Sequence, residues 1–196
     1  MPLGKQAKTL TRAQVEAILG YVNTTRYKHR NRAIVLLSVR AGMRAKEITS
    51  LTWDMVTDAE GEIGNAIHLQ NRASKGRTGG RIIPLNNELR EALLQLRRQP
   101  ERRRPSPFVI ATERASKASA QMVVNLFFQW YKDLGFKGCS SHSGRRTFIT
   151  NAARKISTVG GSLRDVQMLA GHSNLSTTQR YIDANGEAQQ KIVQLI

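Results

Sequence analysis

The stretch "RNRAIVLLSVRAGMR", Arg30 to Arg44, most constrains what this chain can fold into. Written on a helix it is apolar nearly all round, and such a helix has to be enclosed by other elements. The rest of the chain must therefore supply covers. "TRAQVEAILGYV" is one. Thr11 is a good N-cap, and Val15, Ile18, Leu19 and Val22 fall on one helical stripe. "NNELREALLQLRRQ" is another, with Leu89, Leu93 and Leu96 on one face. "AKEITSL" is expected as a short helix directly after the central one. From Ser119 onward the pattern is again helical: "SAQMVVNLFFQWYKDLG", "SHSGRRTFITNAARKI", "SLRDVQMLAG", "STTQRYIDA" and a tail, "GEAQQKIVQLI".

Between these helices the texture changes. "TWDMVT", "NAIHLQ" and "RIIPL" have strand composition and are separated by "DAEGEIG" and "NRASKGRTGG". They are expected to form a small antiparallel sheet with Gly-rich turns, and "FVIA" a stub of strand. Helices, then a small sheet, then helices make a mixed, mainly α domain of the α+β type. The expected divisions are a basic leader over residues 1–10, one domain over 11–185 and a tail segment over 186–196. Such a tail is too short to be helical without a surface to dock on.

The charge balance narrows the function. Lys and Arg number 31 against 14 Asp and Glu, a formal net charge of +17. A folded chain this basic points to a polyanionic partner, nucleic acid first. The single cysteine, Cys139, has no partner for a disulfide or a zinc knuckle, which suits a reducing, cytoplasmic setting. No run approaches the roughly 18 apolar residues of a membrane span, so no membrane association is expected. The histidines lack an HExxH pattern or an acidic cluster, so no metal and no cofactor is expected.

Several short patterns carry chemistry. In "SHSGRRTFIT", His142 and Arg145 are three apart, which on a helix puts them on one face. A guanidinium beside an imidazole is a good phosphate site, because Arg offers a planar set of donors to two oxygens. In "AGMRAKEITSLTW", Arg44 stands three before Glu47, which can orient it by an i,i+3 ion pair. "NRASKGRTGGRIIPL" puts Lys75 at a Gly-rich turn, with Arg72, Arg77 and Arg81 close by; the glycines do not make a Walker loop. "GHSNLSTTQRYI" carries His172 and, nine residues on (181 − 172 = 9), Tyr181. Each pattern alone also reads as ordinary surface charge or a core aromatic. Tyr21, Tyr27 and Tyr131 follow no Gly-His pair, and His29 and His68 have no motif around them.

Taken together and in this order, the patterns resemble the catalytic domain of the tyrosine recombinases, the phage-integrase family, from about Thr11 to the end. The resemblance implies a site-specific DNA recombinase or integrase. Tyr181 would attack a phosphodiester to give a 3′-phosphotyrosine link and a free 5′-hydroxyl, without metal or ATP. Arg44 and Arg145 would clamp the phosphate, and His142 and His172 would hydrogen-bond it or handle protons. Lys75 would protonate the leaving oxygen, with Glu47 in support. It also implies double-stranded DNA as partner and a homo-oligomer, a tetramer, on DNA, from a chain that is a monomer alone. A DNA-binding regulator that keeps the fold and a type IB topoisomerase are the alternatives.

The sequence departs from the family pattern in two respects. Where the family has a leucine and then Arg-His after the first histidine, Gly144 precedes Arg145 and Arg146 follows it. The catalytic pattern also begins within about ten residues of Met1, as in short recombinases of the fimbrial phase-switching type or in a single domain of a longer protein.

Overall fold

A computed structural model describes residues 7–73, 80–98, 105–181, 193–194 and 196. The central helix is α2 (Lys28–Val39). Ala33 through Leu37 are fully enclosed, as an all-round apolar helix requires. Its covers are α1 (Arg12–Asn23), α3 (Ala45–Ser50), α4 (Asn87–Arg98) and α6 (Ser143–Lys155), with α5 (Ala120–Asp133) packed against α1 and α3. Thr11 caps α1, and Gln14 reaches back to the Thr11 backbone to complete a capping box. The stripe Val15, Ile18, Leu19 and Val22 faces the core, as do Leu89, Leu93 and Leu96 of α4.

Two details place the site. α2 ends at Val39 rather than running on to Arg44. The chain turns at Gly42, whose φ of +61° suits glycine. A Cβ at Gly42 would also lie 2.4 Å from Cδ1 of Phe148. Arg44 therefore leaves the enclosed helix and opens α3 as its N-cap residue. α6 crosses α2 at Gly144, where a Cβ would lie 2.2 Å from Ser38 Oγ. A leucine does not fit between these helices, which accounts for glycine before Arg145.

The sheet is smaller than expected. β1 (Ala66–Leu69) and β2 (Arg81–Pro84) form a two-stranded antiparallel pair with Leu69 opposite Arg81 and Ala66 opposite Pro84. "TWDMVT" is not a strand. Trp53–Met55 form a 3₁₀ turn, with only single bridges from Thr52 to Phe108 and from Thr57 to Ile63. Met55 and Val56 are consecutive and both buried, which a turn allows and a strand covered on one face does not. The Thr57 hydroxyl donates to the Trp53 carbonyl and closes that turn locally. "FVIA" contributes only the Phe108 bridge.

The last described elements are α7 (Leu163–Ala170) and α8 (Leu175–Gln179). α7 opens on a Ser162–Asp165 capping box and ends at Gly171 in a left-handed conformation. There the His172 N–H donates to the Gln167 carbonyl and the Gly171 N–H to the Met168 carbonyl, a Schellman motif. The described part of α8 stops at Gln179, and the Tyr181 N–H donates to the Thr178 carbonyl.

Candidate active site

Arg44 and Glu47 meet as the i,i+3 spacing predicts. Arg44 Nη1 donates to Glu47 Oε1 at 2.8 Å, and the Arg44 backbone N–H donates to Oε2 at 2.8 Å. Glu47 thereby satisfies one orphan donor at the N-terminus of α3, where a carboxylate is also favoured by the helix dipole. It is itself fully buried and has a second cation. Arg81, the first residue of β2, grips it with Nη1 to Oε1 and Nη2 to Oε2, both at 3.0 Å. Burial alone would raise the Glu47 carboxyl. The hydrogen bonds and charges of Arg81, with those of Arg44, outweigh burial and hold it at about 2.

Arg145 comes in from the first turn of α6 and is 3% exposed. Its Nη1 donates to the Gly42 carbonyl at 2.6 Å and its Nη2 to the Ala170 carbonyl at 2.7 Å. The same Nη2 lies 2.9 Å from His172 Nε2. A guanidinium only donates, so His172 Nε2 is the acceptor. The proton then sits on Nδ1, which donates to Thr178 Oγ1 at 3.0 Å. Burial, followed by the charges of Arg145, Arg44 and Arg81, pushes the His172 imidazole down to about 4, so it is neutral at pH 7. Burial, with the charge of Arg44 next, lowers Arg145 to about 10, which leaves it charged at pH 7.

Tyr181 stacks on this imidazole, with ring centroids 5.3 Å apart and planes 24° apart. The Thr150 hydroxyl of α6 donates to the Tyr181 carbonyl at 3.1 Å. Arg146 Cζ lies 5.9 Å from the centre of the Tyr181 ring. A cleft of about 370 Å³ opens here, lined by His142, Arg145, Arg146, Thr177, Arg180 and Tyr181.

Contacts join Arg44 to Glu47, and His172 to both Arg145 and Tyr181; Arg44 and Glu47 lie near enough to Arg145 and His172 for their charges to act on both. His142 differs from expectation: it is the exposed N-cap residue of α6, while Arg145 points inward, and the two meet only as walls of the cleft. Lys75 and Arg77 lie outside the described residues. Arg72, the other alternative on the hairpin, is largely exposed and lies 3.5 Å from Asp54. Arg44 and Arg81 hold Glu47 and Arg145 lies near it, so this cluster carries an excess of two positive charges (3 − 1 = 2), before Arg146 and Arg180 of the cleft wall are counted. Such a site attracts an anionic group such as phosphate. Among the described residues, no cluster of His, Cys, Asp or Glu forms a metal set, and no helix is long and apolar enough to cross a membrane.

Sequence reasoning missed the depth of Arg81 and the role of Thr178 as the hydrogen-bond partner of His172 Nδ1. The strand alternation held a signal for the first. Arg81 is two residues from buried Ile83, so the two share the inward face of β2. A cation on a core face needs a buried partner.

Residues 8–188 match the family model described as the phage integrase family. The chain belongs to that family. A family relative, tyrosine recombinase XerD of Pseudomonas putida, is 31% identical over 186 residues, covering 91% of this chain and 58% of that protein. Tyrosine recombinase XerA of Thermococcus kodakarensis is 31% identical over 188 residues, covering 94% of this chain and 61% of that protein. The chain therefore spans about six-tenths of these phage-integrase relatives. The family fold is found in the Tn1549 transposon integrase solved with a circular intermediate DNA, with a TM-score of 0.76 at 20% identity over 99% of this chain and 67% of that one. It is found again in the XerA recombinase crystal structure, with a TM-score of 0.75 at 20% identity over 95% of this chain and 64% of that one.

Proposed function

We propose that this protein is a site-specific DNA recombinase that cuts and rejoins strands through Tyr181. The observation that carries the reading is the stacking of Tyr181 on His172 at the edge of the Arg44, Arg81 and Arg145 cluster. In the reaction, Tyr181 Oη attacks phosphorus, the bond to the 5′-oxygen breaks, and a 3′-phosphotyrosine link forms. The tyrosine loses its proton and the leaving oxygen gains one. A 5′-hydroxyl from another strand reverses the step. One phosphodiester is exchanged for one phosphotyrosine, so the energy is conserved in the link and no ATP is consumed.

The residues divide the work. Charge builds on the non-bridging oxygens in the transition state, and Arg44 and Arg145 are the cations proposed to offset it. One preorganised donor of this kind contributes roughly 3–4 kcal/mol. His172, neutral and bonded to Arg145, orients that guanidinium and supports the Tyr181 ring. His142, exposed on the cleft wall, is the imidazole that exchanges protons or bonds the phosphate. Lys75 is the proposed acid for the leaving oxygen, and Glu47 positions Arg44. Residues 11–185 form the proposed catalytic domain; the tail segment expected over 186–196 lies, but for 193, 194 and 196, outside the described residues. Each chain carries one such nucleophile, and exchange between two duplexes cuts four strands. The protein accordingly acts as a tetramer on DNA and is a monomer alone. The unpaired Cys139 fits a reducing, cytoplasmic setting.

The test is a covalent-adduct assay on nicked duplexes selected by the protein from randomised DNA. Wild type is expected to give a species that survives denaturation, and Tyr181→Phe none. An adduct of equal yield in Tyr181→Phe removes Tyr181 from the role.

A further inference from the structure

We infer that Arg81 is a positioning residue of this site, which neutralises Glu47 so that the Arg44 charge stays available to phosphate, and which anchors the turn that carries His172. The inference rests on the strand-cleavage reading above. Arg81 begins β2 opposite Leu69, its side chain is 5% exposed, and it acts through three other residues.

The first is Glu47. That carboxylate accepts from both terminal nitrogens of Arg81 and from the side chain and backbone of Arg44, so four donors fill its two oxygens. The Arg81 pair is the parallel, two-pronged one, the geometry in which a guanidinium and a carboxylate match best. Arg81 and Glu47 then cancel, and the excess positive charge belongs to Arg44 and Arg145. Without Arg81, Glu47 would be neutralised by Arg44 instead, and the excess would fall from two charges to one.

The second is Leu169. Arg81 Nε donates to its carbonyl at 2.9 Å, next to the Ala170 carbonyl held by Arg145. Two arginines from different parts of the chain thus hold consecutive carbonyls at the C-terminus of α7, where the helix dipole favours a cation. The third is Gly171, where an added Cβ would lie 2.9 Å from Arg81 Nη1. The Arg81 side chain thus occupies the space beside the residue directly before His172. The arrangement goes beyond a stabilising ion pair, since a buried pair of this kind can often be replaced by apolar residues without loss of stability.

The experiment compares Arg81→Met, Glu47→Gln and the double variant Glu47→Gln/Arg81→Met by two readouts. One is the single-turnover rate of the Tyr181 adduct on the nicked duplex. The other is the dissociation constant for inorganic phosphate, read from its protection against thermal unfolding. Arg81→Met is expected to slow adduct formation by about 100-fold, the scale of one lost preorganised donor. It is expected to weaken phosphate binding by about tenfold, as loss of one net charge in a partly buried site implies. The double variant, which removes both charges, is expected to recover at least about tenfold of the rate and most of the phosphate affinity, the non-additivity of groups acting as one unit. Arg81→Met within about threefold of wild type in both readouts overturns the inference. So does a double variant no better than Arg81→Met, because a merely structural role is not relieved by removing a second partner. If wild type forms no adduct at all, the strand-cleavage reading fails, and the phosphate readout still decides the role of Arg81.

Discussion

Two apolar clusters of unequal depth divide the candidate site between them. The large one is built on α2 and reaches from Leu10 to Tyr131, and it carries Arg44 and Glu47 on the helix that follows. The small one has three buried members, Ile149, Val166 and Ala170, and Tyr181 packs at its edge. The residues that would hold a phosphate are thus rooted in a deep core, and the proposed nucleophile in a shallow one. Polar clamps compensate for the shallowness. Arg145 ties the Gly42 turn to the end of α7, and Arg81 ties the sheet to the residue before it. Few buried apolar groups and a dependence on hydrogen bonds are the marks of a region that opens at low free energy. A nucleophile that must enter and leave a covalent link is well served by such a region.

The contrast breaks most severely at Arg145, which belongs to both sides. Arg145→Met leaves the Gly42 and Ala170 carbonyls and the His172 imidazole without their donor. Adduct formation is expected to fall by about 10²–10³ or more, measured in single turnover on the nicked duplex. A rate within tenfold of wild type would mean that the clamp does not join the two regions.

A pair of core truncations sharpens the difference in depth. Leu36→Ala, in the centre of α2, is expected to cost about 2–5 kcal/mol in urea unfolding. Val166→Ala is expected to cost less than about 2 kcal/mol, since its cluster is small and can relax. Hydrogen exchange in α7 and α8 should accelerate in Val166→Ala while α2 stays protected. Equal costs, with exchange rising in α2 as well, would merge the two regions into one.

The smallest effect is in pH. His172 is held at about 4, below its ordinary 6.5, so the fold favours the neutral imidazole. The stability this confers is fully present above about 6.5 and is lost as pH falls toward 4. Glu47 acts in a lower window, since its carboxyl is held at about 2 against an ordinary 4.5. Urea midpoints measured from pH 7 down to pH 5 therefore report His172. The midpoint should decline, and the decline should flatten in His172→Gln. An unchanged slope in that variant assigns the acid sensitivity elsewhere.

Much of this molecule was legible from local pattern. The stripe after Thr11, the enclosed run Ala33–Leu37 and the i,i+3 step from Arg44 to Glu47 are short-range facts, and the backbone follows them. The Gly-His to Tyr181 spacing works for the same reason, because a Schellman turn and one short helix fix the separation. Where the pattern misled, tertiary context decided. "TWDMVT" has strand residues but folds as a turn closed by its own hydroxyl, and after α2 ends at Val39 the chain turns at Gly42, where Phe148 takes the space a side chain would need.

The sequence by itself determined the helices, their buried faces, the basic character of the chain and which residues could serve phosphate chemistry, because those depend on neighbours a few positions apart. Only the tertiary structure decided how they are held. Arg81 meets Glu47 across 34 positions and Leu169 across 88, and Arg145 meets the Gly42 carbonyl across 103. No local periodicity encodes a partner at that distance. The tautomer of His172 is likewise settled by a guanidinium from another helix, which can only donate.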